Sequence, residues 1–153
     1  MNSNEIKQRD KDHVLGTYAR NDIVLTRGKG ATAWTPEGKK MIDFSSGIGV
    51  NSLGFADDGW VEAIYHQAKK LQHTSNLFYT ETCGALAQEL NLRAGTDKVF
   101  FCNSGTETTE GVIKAARKYS RMKYGEGRYE IITLKNSFHG RTMGAISATG
   151  QDQ

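Results

Sequence analysis

The sequence predicts an α/β fold: short antiparallel strands first, then the start of a mainly parallel sheet with flanking helices. Three observations predict it. Strand-like runs at Val99-Phe100-Phe101-Cys102 and Tyr129-Glu130-Ile131-Ile132-Thr133-Leu134 bracket a helix-like run beginning near Thr106, the order of a βαβ crossover. The loops 103–107 and 136–142 follow those two runs, on the edge where open α/β sheets bind ligands. Seventeen glycines against one proline indicate many tight turns around regular elements.

The elements follow in order. The first dozen residues are polar and charged, and read as a loose arm or a helix in need of a partner. Short strands are predicted near Asp22–Leu25, Ala31–Trp34 and Lys40–Phe44. Pro36-Glu37-Gly38 is the turn between the last two, with proline setting φ and glycine accepting a positive one. Asp57-Asp58 caps a helix from about Gly59 to Leu71, whose Trp60, Val61, Ile64, Ala68 and Leu71 share one face. A second helix spans about Cys83 to Leu92. The helix after Thr106 is predicted to pack Val112, Ala116 and Tyr119, with Lys114, Arg117, Lys118 and Arg121 on a solvated face.

Composition narrows the function. A net charge of +3, with both signs interspersed, gives no footprint for nucleic acid or an anionic membrane. The apolar runs are far short of a membrane span. The N-terminus lacks the apolar core of a signal peptide and the acid-poor character of a transit peptide. Cys83 and Cys102 make no disulfide framework, so free thiols in a cytoplasmic setting are expected. No zinc pattern or metal-binding carboxylate cluster is present in the sequence.

Two segments carry chemistry. Asn103-Ser104-Gly105-Thr106-Glu107 turns from a strand end into a helix start. Gly105 permits close backbone approach to an anion, and the first-turn N–H groups and the helix dipole point at it. Ser104 and Thr106 add hydroxyls. The same residues also suit a plain N-cap, and local chemistry leaves both readings open. The segment is neither a Walker A loop nor a GxGxxG turn. Asn136-Ser137-Phe138-His139-Gly140-Arg141-Thr142 places a flat aromatic, an imidazole and a guanidinium within four residues. On its own it could be an ordinary polar loop with one anchoring Phe.

Together the segments resemble the class III aminotransferases, pyridoxal-phosphate enzymes of fold type I. The resemblance rests on Asn-Ser-Gly-Thr-Glu-x-x-Glu, then Ile113-Lys114-Ala115-Ala116-Arg117-Lys118-Tyr119, then Phe-His-Gly-Arg-Thr. It extends from about Val14 to Gln153. Ser46-Gly47-Ile48-Gly49-Val50-Asn51-Ser52-Leu53-Gly54 and His73 to Glu81 look closest to the acetylornithine branch. The resemblance implies that residues 1–55 are an N-terminal segment of the small domain and 56–153 the opening of the large cofactor domain. It implies that Ser104, Gly105 and Thr106 hold the phosphate of pyridoxal 5'-phosphate, that Phe138 stacks on its ring, and that His139 supports its surroundings. Arg141 would pair with the substrate α-carboxylate, a geometry that suits guanidinium. Tyr79, with Asn76 and Phe78, would line the mouth of the site across a homodimer interface, or simply pack there. Glu110 would anchor the site through hydrogen bonds or serve as a helix-start carboxylate.

The implied reaction moves an amino group between an ornithine-type ω-amine, N-acetylornithine, and 2-oxoglutarate in arginine biosynthesis. Ornithine, succinylornithine and 4-aminobutyrate aminotransferases share most of these motifs. The family's Schiff-base lysine and the acidic partner of the ring nitrogen lie downstream of the Phe-His-Gly loop, and no lysine here matches. The chain is therefore expected to be an N-terminal part with no catalytic residue of its own, or a non-catalytic remnant that docks on a full-length subunit. It departs from the branch at Glu107-Thr108-Thr109-Glu110, where Glu-Ala-Asn-Glu is usual, at Gly111 for Ala, and at Phe55-Ala56-Asp57-Asp58 for a His-Pro pair.

Overall fold

The computed structural model describes residues 1–151. The last two positions of the stretch resembling the family lie outside the described residues. The chain forms two units, Met1–Phe78 and Tyr79–Gln153.

The first unit opens with helix α1, Ser3–His13. The Asn2 side chain accepts from Glu5 N–H at 3.0 Å, and the Glu5 carboxylate accepts from Asn2 N–H at 2.9 Å. This reciprocal cap satisfies two donors that the first turn leaves unpaired. The helix finds its partner through Glu37, whose carboxylate accepts from Ser3 N–H and Ser3 Oγ–H, both at 2.8 Å. A three-stranded antiparallel sheet follows: β1 Arg27–Lys29, β2 Thr32–Trp34 and β3 Lys40–Ile42, in the order β1-β2-β3.

The second and third strands fall where the sequence places them. The first lies later than Asp22–Leu25, and register explains why. Arg27 faces Trp34, so Leu25 would face Pro36, which has no N–H to give a ladder. The Arg27 guanidinium covers the Trp34 ring at 4.2 Å instead. Helix α2, Asp58–Lys70, starts as predicted, with Asp57 accepting from Trp60 N–H at 2.9 Å. Lys29 bonds Ala56 C=O at 2.8 Å and Asp58 at 2.6 Å, which ties β1 to the start of α2.

The second unit holds α3, Glu81–Ala94, α4, Gly105–Tyr124, and α5, Met143–Ala148. Gly95 ends α3 in the left-handed region, a common C-terminal stop. The runs 99–102 and 129–134 carry no strand assignment. Residues 128 and 129 are tied to α4 by Ser120 Oγ–H to Arg128 C=O and Arg117 Nε–H to Tyr129 C=O, both at 2.9 Å. Beyond that anchor Ile132 and Leu134 are exposed. A strand is a pairing rather than a property of one segment, and neither run has a ladder partner among the described residues. The expected parallel pairing is therefore present only as its connecting helix and loops.

The packing face of α4 also differs from the sequence reading. Val112, Ala116 and Tyr119 are exposed, whereas Thr106, Thr109, Glu110 and Ile113 are half-buried. The helix turns that second face toward α5. Buried hydrophobic residues are few: among the described residues they are Ala33, Ala145 and Ala148. The accessible surface is 13383 Å². Two separate compact bodies of half this mass would together expose only about 9,300 Å².

Candidate functional site

Ser104 adopts extended backbone at the N-cap of α4, and its Oγ accepts from Glu107 N–H at 3.2 Å. The Glu107 carboxylate reaches back to Asn103 N–H at 2.6 Å. Thr108 N–H bonds the Ser104 carbonyl at 3.1 Å. That leaves the N–H groups of Gly105 and Thr106 without a protein acceptor among the described residues. The N-cap reading is therefore correct, and the cap still leaves two donors at the positive end of a 20-residue helix. A Cβ on Gly105 would meet no atom within 4 Å beyond its chain neighbours and its own helix backbone, so that side of the helix start is open.

The departures at positions 108, 109 and 111 have local explanations. Thr108 and Thr109 Oγ–H bond the carbonyls four residues earlier, each at 3.2 Å, the habit that makes threonine a weaker helix former. A Cβ on Gly111 would lie 3.3 Å from the Phe100 ring, so glycine there makes room for that ring.

The loop 136–142 is brought to this helix end. Its base is closed by Asn136 N–H to Gly150 C=O at 2.8 Å and Gly150 N–H to Ser137 C=O at 3.0 Å. Thr149 Oγ accepts from His139 N–H at 3.0 Å and lies within hydrogen-bond reach of the Gly140 and Ala145 carbonyls. Gly140 has φ +120° and lies against Thr106, where a Cβ would overlap the threonine side chain. Only glycine permits both that backbone angle and that approach.

Glu110 completes the junction. Its Oε1 accepts from Thr142 Oγ–H at 2.6 Å, Gly144 N–H at 3.0 Å and Ala145 N–H at 3.2 Å. One carboxylate of α4 thus caps the start of α5. The Thr142 hydroxyl bond, more than any other contact, holds the Glu110 carboxyl below the ordinary glutamate range; the two N–H bonds and Lys114 add to this, and partial desolvation opposes it. An ionised carboxylate only accepts, so Thr142 donates to it. The Thr142 oxygen must then accept in its 3.2 Å contact with Thr106 Oγ1. The Thr106 hydroxyl proton consequently faces Thr142, and what Thr106 presents at the helix end is its backbone N–H.

Phe138 is half-exposed, with the Arg141 guanidinium 5.3 Å from its ring centroid, within cation–π range. The structure thus brings Ser104, Gly105, Thr106, Phe138, His139 and Arg141 into one junction of α4, the loop and α5. Tyr79 is not brought to it: it is fully exposed and makes no hydrogen bond or ring contact among the described residues. Sequence reading included Thr142 in the motif but gave it no role, and missed Thr149, since an isolated threonine carries no spacing signal. Among the described residues no group of His, Cys, Asp and Glu could hold a metal ion, and no helix is long and apolar enough to cross a membrane.

The aminotransferase class-III family matches residues 17–153. The chain belongs to the class III aminotransferases. An acetylornithine aminotransferase of Haemophilus ducreyi is 54% identical over 151 residues, covering 99% of this chain and 38% of that protein. The acetylornithine aminotransferase of Elizabethkingia anophelis superposes with a TM-score of 0.79 at 36% identity, over 83% of this chain and 33% of the other. An ornithine aminotransferase of Toxoplasma gondii gives a TM-score of 0.90 at 26% identity, over 97% of this chain and 35% of its own, and holds pyridoxal phosphate at partial occupancy in its active site. Class III aminotransferases are pyridoxal-phosphate enzymes of fold type I, and the small antiparallel sheet and helices fit an N-terminal portion of that fold. The chain spans well under half the length of these relatives.

The phosphate half of the cofactor fits the residues present. A dianion needs donors with no competing acceptor, and Gly105 and Thr106 N–H supply two; the Ser104 Oγ–H is directed at the Glu107 carboxylate at 3.4 Å. An aromatic ring needs an apolar face, and Phe138 offers one on a loop pinned to the same helix end.

Proposed function

We propose that the protein transfers an amino group from the ω-amine of N-acetylornithine to 2-oxoglutarate, using pyridoxal phosphate, as a cytoplasmic homodimer in arginine biosynthesis. The observation that carries this reading is the junction itself, where two unpaired N–H donors and the Phe138–Arg141 loop share one helix end. Gly105 and Thr106 N–H, with Ser104, hold the phosphate by short charge-assisted bonds. Phe138 covers one face of the ring, and His139 stands beside it. Arg141 receives the α-carboxylate of the donor through two parallel hydrogen bonds, which places the distal amine for reaction. Pyridoxal phosphate, when bound, supplies the carbonyl that takes the amino group and the sink for the electrons of the breaking C–H bond.

Residues 1–55 would belong to the small domain and 56–153 to the cofactor domain, with Tyr79 meeting the site from a subunit interface. The exposed apolar side chains of α2, Trp60, Val61 and Ile64, support burial against further polypeptide. The same exposure suits the second reading, in which this chain docks on a full-length subunit without catalysing anything itself.

The test is glutamate formation by the full-length protein from N-acetylornithine and 2-oxoglutarate, with ornithine, succinylornithine and 4-aminobutyrate as competing donors. N-acetylornithine should give the highest kcat/KM. A preference for 4-aminobutyrate, which keeps a carboxylate for Arg141 but has no acetamido group, would overturn N-acetylornithine as the donor. No turnover with any donor would leave the docking reading.

A further inference from the structure

We propose that Glu110 is a positioning residue: it latches the loop bearing Phe138 and Arg141 to the helix end that binds phosphate, and so sets where the substrate carboxylate is received. The inference rests on the proposed aminotransferase reading for its consequence, but not for its geometry.

Three donors converge on a single oxygen. Thr142 Oγ–H, Gly144 N–H and Ala145 N–H all bond Glu110 Oε1, at 2.6, 3.0 and 3.2 Å. They come from 32 to 35 residues away in sequence. An ordinary helix carboxylate on this face would meet solvent or a neighbour one turn along. Glu110 instead leaves its own helix and caps another. Thr142 immediately follows Arg141, so the contact fixes the backbone on the C-terminal side of the guanidinium. On the N-terminal side, Gly140 is pressed against Thr106. Arg141 is therefore held between two points that both belong to α4.

The proton order extends the latch. Thr142 spends its hydrogen on Glu110, and Thr106 must then spend its own on Thr142, at 3.2 Å. Removing the Glu110 oxygen frees Thr142 to reverse, and the Thr106–Thr142 contact no longer has a fixed direction. The loop then loses its hydrogen-bonded tie to the phosphate helix and keeps only the Gly140–Thr106 contact, whereas the N–H donors of Gly105 and Thr106 are unaltered.

Gly144 allows the latch to be broken from the other side. A Cβ at position 144 would lie 2.8 Å from Glu110 Oε1 and nearer still to Oε2. Gly144→Ala therefore displaces the carboxylate while leaving Glu110 in the sequence. A purely structural view predicts the opposite result, because alanine is a better helix former than glycine and should firm up α5.

The experiment uses the full-length protein with Glu110→Gln, Glu110→Ala and Gly144→Ala. Amide hydrogen exchange of segment 142–148 is measured without cofactor. KM and kcat are measured for N-acetylornithine and for N-acetyl-1,4-diaminobutane, the same donor without its α-carboxylate. Glu110→Ala and Gly144→Ala should speed exchange in 142–148 and raise KM for N-acetylornithine about tenfold or more, the loss expected for a charged hydrogen bond. KM for the carboxylate-free amine should stay within about twofold, since that donor does not use the loop arginine. Glu110→Gln keeps an oxygen for the same donors and should fall between wild type and alanine. Wild-type exchange in Gly144→Ala, or an equal rise in KM for both amines, would overturn the proposal. If wild-type protein fails to use N-acetylornithine, the functional reading falls, and exchange in 142–148 still decides the latch.

Discussion

At the residue scale, the site separates side chains that bind from side chains that hold others in place. Gly105 belongs to the first group. A Cβ there would meet no atom beyond its chain neighbours and its own helix backbone, so a loss on substitution reports chiefly on the ligand. Gly105→Val in the full-length protein should weaken pyridoxal phosphate binding at least tenfold, as a branched Cβ occupies the approach of the phosphate. A cofactor titration followed by absorbance checks it, and unchanged affinity would reduce Ser104–Thr106 to a helix cap. Thr106→Ala should weaken binding less, because its hydroxyl proton serves Thr142. Arg141 is on the substrate side. A lysine is a point charge that cannot reproduce a two-pronged contact, so Arg141→Lys should lower kcat/KM for N-acetylornithine by about 100-fold, or ~2–3 kcal/mol, with cofactor affinity little changed. Loss of cofactor binding in that variant would place the arginine at the phosphate instead.

At the element scale, helices were legible in the sequence and strands less so. Asp57 and Ser104 each mark a helix start by local chemistry, and the structure uses both; the Gly95 stop of α3 and the short helix α5 were not read from the sequence. The runs 99–102 and 129–134 look like strands because of their β-branched and aromatic content, yet no ladder forms, since a ladder depends on a second segment that composition cannot name. The same limit hid the face of α4: apolar spacing pointed to Val112 and Tyr119, while the contact with α5 is made by Glu110 and small residues. The first strand was displaced by a neighbour, Pro36, rather than by its own sequence. The α1 contact is the element with a measurable pH dependence. Ser3 N–H, then Ser3 Oγ–H, hold the Glu37 carboxyl down to about 2. A depressed carboxyl stabilises the folded form above its ordinary value, about 4.3, and that contribution fades as pH falls toward about 2. Amide exchange in residues 3–13 should therefore rise as pH drops through that window, after correction for the intrinsic rate. Glu37→Gln should flatten the response. An identical pH profile in that variant would show that α1 is held by something other than this carboxylate.

At the scale of the whole chain, the ratio of surface to mass decides what these residues can do unaided. Burial of apolar area is the main favourable term in folding, and it must offset roughly 1–2 kcal/mol of backbone entropy for each ordered residue. Here Phe44, Ile48, Val50, Leu77 and Ile132 are each more than four-fifths exposed, and among the described residues the largest buried side chains are alanines. The exposed area of 13383 Å² exceeds by nearly half what two compact bodies of this mass would show, about 9,300 Å². Local caps and hydrogen bonds keep the helices well specified, but they add only about 1 kcal/mol apiece. The 153-residue chain expressed by itself should therefore behave as a loose, dye-binding state rather than a cooperative one. Urea should unfold it gradually, with a far-UV signal lost over a wide range and strong binding of a hydrophobic dye before any denaturant is added. The same residues inside the full-length protein should unfold with the rest in one sharp transition and bind little dye. A sharp transition and low dye binding for the short chain would mean that its exposed faces pair with one another between copies, and sedimentation would then report an oligomer. A monomer with a sharp transition would contradict the burial argument outright, because nothing else among the described residues supplies the missing apolar contact.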